Sequence, residues 1–154
     1  IENTVHFFHD KIGTMSNQQP QWQPISMLPV FTDMIDGMLE SSTEQLNNMR
    51  LAVDKPHVLD DATLNWVIEQ YGEQIKDHRL LEEQFARWKN EDLSTVEYAE
   101  VDRLIKQSSR LKVSNEEILK IAHSIEHATI DKIMAMDEGE LTMAVLSGKI
   151  KPPI

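Results

Sequence analysis

The chain has 154 residues, 40% of them apolar and 27% charged, which suits one domain with a hydrophobic core. A formal net charge of −11 argues against binding nucleic-acid phosphates or anionic lipid surfaces and leaves basic partners open. With 5 Gly, 6 Pro and no Cys, a turn-rich β-sandwich, a disulfide scaffold and thiolate chemistry are all excluded.

Ile1, Val5, Phe8 and Ile12 recur at helical spacing before Gly13, which predicts a short amphipathic helix over residues 3–12, capped by Asn3 or Thr4. The stretch from Ile12 to Thr32 is uncharged. Its Gln18, Gln19, Pro20, Gln21, Gln23, Pro24 and Pro29 make it a polar linker over residues 13–24, not a membrane span. Trp22 within it is expected to dock on the domain. The chain begins at Ile1 and not at Met, which leaves room for residues upstream. No basic segment precedes an apolar one, so we expect no signal peptide, and the absence of Cys fits a cytoplasmic protein.

The first long helix is expected to begin near Ile25 or Pro29 and to end before Lys55-Pro56. Met27, Phe31, Met34, Ile35, Met38, Leu46, Met49 and Val53 fall within a sector roughly 140° wide on its wheel. A second helix follows Asp60 or Asp61, either of which can cap it, and runs to about Asn90. Its stripe is Leu64, Val67, Tyr71, Ile75, Leu81, Phe85 and Trp88.

Ser94-Thr95-Val96-Glu97 is a capping box that opens a third helix. Val101, Leu104, Ile105, Leu111, Ile118, Leu119, Ala122 and Ile125 carry it to about Ala128. A second box at Ser114 leaves room for a break near residue 113. The absence of Gly and Pro favours one continuous helix, about 50 Å long. The short connection forces the second and third helices into an antiparallel hairpin. Thr129 and Asp137 are expected to cap two short C-terminal helices, and Gly148 to stop the last.

The predicted fold is therefore all-α: an elongated antiparallel bundle of three long helices plus short N- and C-terminal helices. Residues 1–24 form the first helix and linker, 25–128 the three-helix core, and 129–154 the short helices and tail.

Three patterns bear on chemistry. His123-Ser124-Ile125-Glu126-His127 has the form H-x-x-E-H and resembles the zinc motif of the inverted zinc peptidases. That resemblance implies His123 and His127 as zinc ligands, with Glu126 activating a water. Only 27 residues follow His127, too few for that family's distant third ligand. On the wheel both histidines point on the order of 120–160° away from the apolar direction, which reads as two solvated side chains.

His78-Arg79-Leu80-Leu81-Glu82 together with His123 and His127 resembles two pieces of the hemerythrin di-iron pattern. The final piece, H-x-x-x-x-D, is missing. A chain reversal near residues 91–92 would also set His123 roughly 27 Å along the shaft from His78.

The third pattern is His78 with Glu82 alone. Both are placed in the apolar stripe between Ile75 and Phe85, and at i,i+4 they can hydrogen-bond. Val101, Ile105 and Ser108 are their expected neighbours across the hairpin. They read as a register-fixing polar pair, with a ligand pocket as the alternative. Glu69, Glu73 and Asp77 make an acidic ridge that reads as a solvated face, and Met27, Met34 and Met38 read as core filler.

No phosphate loop or nucleophilic triad is present. We therefore expect a non-enzymatic helical interaction or scaffold protein that self-associates as a homo-oligomer, with another protein as the other partner open to it. Nucleic acid, membrane and cofactor are not expected. The alternative is a metal- or small-ligand-binding bundle using His78 and Glu82, or His123, Glu126 and His127.

Overall fold

Helix boundaries follow the capping chemistry of the sequence. In the computed structural model, residues 20–149 are described. The expected helix over residues 3–12 lies outside them, as does most of the linker. Three long helices make up the body: α1 (Leu28–Ala52), α2 (Asp61–Lys89) and α3 (Thr95–Ile125). Two short ones follow, α4 (Ile130–Ala135) and α5 (Glu138–Leu146). No strand occurs among the described residues, and none of their helices is long and apolar enough to cross a membrane.

Asp60 caps α2 by accepting from the Thr63 amide. At α3, Ser94 and Glu97 exchange both bonds of the capping box. Each satisfies donors that the first helical turn leaves unpaired. Thr129 and Asp137 cap α4 and α5 as expected. Gly148 closes the last helix with φ at 79°, a left-handed conformation that glycine adopts without a Cβ clash. The second box, at Ser114, is not used, and α3 runs unbroken through it for 31 residues, about 46 Å.

The three long helices run up, down and up. α3 packs along both of the others. Arg103 on α3 reaches Asp36 on α1, and Asn115 reaches Ser42, so residue numbers rise together along both helices and the two run parallel. α2 runs antiparallel to α3, with Lys89 bonded to Asp102 and Asn115 to Gln74.

The core has two parts. One, beside the α2–α3 turn, is built on Phe31, Phe85 and Trp88, whose ring centroids lie 4.9–6.4 Å apart. The other, at the far end, gathers Met49, Leu64, Val67, Tyr71, Ile118 and Ala122.

The linker end docks on the first core, as expected for Trp22. Arg87 stacks its guanidinium 4.3 Å from the Trp22 ring centroid. The Gln23 carbonyl accepts from Trp88 Nε1 (2.8 Å) and Gln84 Nε2 (3.2 Å), while the Gln23 amide donates to Gln84 Oε1 (2.7 Å). Gln84 is buried because it replaces the hydrogen bonds that this extended segment has lost to water.

The wheel assignments need correction in places. Val53 is exposed, and Leu46, Ile75, Ile105 and Leu119 are only half-buried. Ser42, Gln74, Asp77, Gln84, Ser108 and Asn115 are buried instead. A wheel sorts residues by polarity, whereas polar groups that keep hydrogen bonds, as Ser42, Gln74, Gln84 and Asn115 do between elements and Ser108 does within α3, can be buried at little cost.

Candidate functional site

Between the two apolar cores lies a layer of buried polar side chains. Asn115 Nδ2 donates to Gln74 Oε1 at 3.0 Å. Ser42 Oγ donates to Asn115 Oδ1 at 2.6 Å and lies 2.7 Å from Ser114 Oγ. Ser42 has one hydroxyl proton, so Ser114 completes the chain by donating to it. One turn away, the Tyr71 hydroxyl is buried with no hydrogen-bond partner among the described residues. Burial, and secondarily the charge of Glu44, pushes its pKa up to about 12.

His78 adjoins this layer. Its Nε2 lies 2.9 Å from Glu82 Oε1, so the expected pair forms. The two differ in environment: His78 is buried, and the Glu82 side chain is 60% exposed. Four residues turn a helix by about 400°, which carries Glu82 some 40° past His78 and out of the stripe.

The register across the hairpin also differs from the expected one. The midpoints of Lys89–Asp102 and Gln74–Asn115 both fall near residue 95. His78 consequently meets Leu111, Lys112 and Asn115, and not Ile105. These residues enclose, with Met38, Gln74, Asp77 and Leu81, a cavity of about 10 Å³. That is room for about one water molecule, far below the roughly 300 Å³ of a small-molecule pocket.

The H-x-x-E-H residues are placed differently. α3 ends at Ile125, and Glu126–Ala128 form a 3-10 turn. His123, Glu126 and His127 are all exposed. His123 Nδ1 lies 3.6 Å from Glu126 Oε2, while His127 Nε2 turns to the Lys149 carbonyl at 3.1 Å. The change of helix type between the two histidines removes the i,i+4 alignment that shared ligation needs. By the observed register, His123 lies about 11 residues, roughly 17 Å, beyond the position facing His78. Among the described residues, no group of three or more His, Asp or Glu could hold a metal ion.

A third feature lies at the C-terminal end. α4 is fastened to the start of α2. Thr129 Oγ1 donates to Asp61 Oδ1 (2.6 Å), Lys132 Nζ reaches Asp61 Oδ2 (3.1 Å), and the Ile130 amide donates to the Leu59 carbonyl (2.7 Å). The Thr129 hydroxyl, and then Lys132, hold the Asp61 carboxyl below its ordinary pKa.

α5 carries Leu141, Met143, Ala144, Val145 and Leu146 yet buries none of them. Met134 is 78% exposed, Leu146 76% and Met143 66%. Met136, Met143 and Ala144 line an open groove of about 1000 Å³, with Asp137 and Glu140 beside them and His127 and Lys149 closing it. Sequence reading places caps here but not this groove. The available signal was α5 itself, apolar on several sides, a pattern that ordinarily belongs to a buried helix.

Comparison with known proteins finds no matching family model, no matching curated protein and no matching solved structure.

Proposed function

We propose that this is a non-enzymatic helical interaction protein: a stiff three-helix shaft that presents its C-terminal helices to another polypeptide. The observation that carries the reading is α5, an apolar helix with no buried residue, together with the exposed Met134 on the preceding helix. Contiguous exposed apolar surface marks a binding surface, whereas scattered apolar residues need no explanation. The reading is supported by the bonds from Asp61 that fasten α4, the helix preceding α5, to the start of α2.

The test is crosslinking in the source cell, read by mass spectrometry at Lys132 and Lys149, which flank the surface. The wild-type chain should give crosslinks from these lysines to another polypeptide, whether a second copy or a different protein. A triple variant, Met134→Asp, Met143→Asp and Leu146→Asp, should lose them. Crosslinks that persist unchanged in the triple variant would sink the reading.

A further inference from the structure

We propose that the α4–α5 groove takes a basic amphipathic helix belonging to a different protein. The proposal rests on the interaction reading above and narrows the chemistry of the partner.

Shape and lining come first. The groove, about 1000 Å³, sits at the top of the size range of small-molecule pockets (roughly 300–1,000 Å³) and is open to solvent. Its apolar floor includes Met136 and Met143. Unbranched thioethers adjust to an irregular apolar face, as surfaces that accept amphipathic helices require.

Charge then selects among occupants. Asp137 and Glu140 line the groove, Glu138 shares their helical turn, and Lys149 is the one fully charged cation among the described lining residues. The whole chain carries −11. A second copy would bring the same acidic rim and the same net charge, and juxtaposed like charges oppose association. An acidic peptide meets the same objection. A helix with Lys or Arg flanking an apolar stripe gains on both counts: its stripe covers the methionines and its cations meet the carboxylates.

The experiment titrates the full chain against two fluorescent helical peptides of about 14 residues, four turns each, with identical Leu stripes. One carries Lys on its polar face and the other Glu. The Lys peptide should bind saturably, and the Glu peptide at least tenfold more weakly. Met143→Asp should weaken the Lys peptide roughly tenfold, the scale of a central apolar contact. This variant adds negative charge, so diffuse attraction to an acidic protein predicts the opposite change.

Glu140→Lys provides a second variant that leaves the methionines in place. It should weaken the Lys peptide and strengthen the Glu peptide. Circular dichroism confirms that both variants stay helical.

Equal binding of the two peptides would overturn the charge assignment while leaving the interaction reading intact. So would a wild-type mass of two chains that falls to one in Met143→Asp, because a second copy would then fill the groove. Lys-peptide binding unchanged in both variants would overturn the groove itself, and the crosslinking result then judges the broader reading separately.

Discussion

Phe85 and Trp88 are wholly removed from water at one end of the molecule, whereas Met134, Met143 and Leu146 at the other keep well over half of their surface in it. Both regions are helical and both are capped by side chains. The shaft can bury its stripes because three long helices offer one another matching faces. α5 follows a short helix anchored through Asp61, and none of its residues is fully buried, with Leu141, Ala144 and Val145 half-covered. Helix formation and helix burial are thus separable among the described residues.

The aromatic core offers the largest test of this contrast. Trp88 is fully buried, packs against Phe31 and Phe85, and donates its indole N–H to the Gln23 carbonyl. Trp88→Ala should lower the unfolding free energy by about 3–5 kcal/mol in chemical denaturation, combining lost transfer energy with a cavity. A loss below about 1 kcal/mol would mean that the shaft is not the rigid half of the pair.

The polar layer is the intermediate case. Asn115→Ala strips Gln74 of its donor and Ser42 of its acceptor, leaving both side chains buried without those bonds. The expected cost is about 1–3 kcal/mol, the desolvation penalty of buried polar groups. Replacing Asn115 and Gln74 together by Leu should recover much of it, because Gln74 then leaves no stranded amide and the Ser42 hydroxyl keeps Ser114 as its partner. Failure of the double variant to recover would show that the layer specifies register as well as tolerating burial.

These residues also show where the sequence is legible and where it is not. The caps at Asp60, Ser94, Thr129 and Asp137 are local chemistry, readable over four residues, and each forms as expected. The all-α bundle follows from the stripes between them. Hairpin register is not local. Its offset, with Gln74 facing Asn115, comes from how far the turn at residues 90–94 extends before α3 begins to pack. Asn115, which follows Ser114 in the unused second box, bonds between helices instead. His78 is legible as a buried polar residue, but Glu82 at the stripe's edge is not, because one turn of drift decides its exposure. The groove depends on what α5 fails to touch; the apolar character of α5 on several sides shows that it has surface to cover, but not which of its neighbours leave it uncovered.

The smallest predicted effect tests the contrast most directly, because it repeats one substitution in both regions. Leu104 lies in the aromatic core with no exposed surface, and Leu146 ends α5 at 76% exposure. Leu104→Ala should cost about 2–5 kcal/mol. Leu146→Ala should change the unfolding free energy by no more than about 0.5 kcal/mol, since it removes little buried area and Ala is at least as good a helix former. The measurement is paired denaturant titration of the two variants at a protein concentration low enough to keep the chain dissociated. A cost at Leu146 of 2 kcal/mol or more would place it in a packed interior within the chain. α5 would then be a part of the core, and the surface on which the interaction reading stands would not exist.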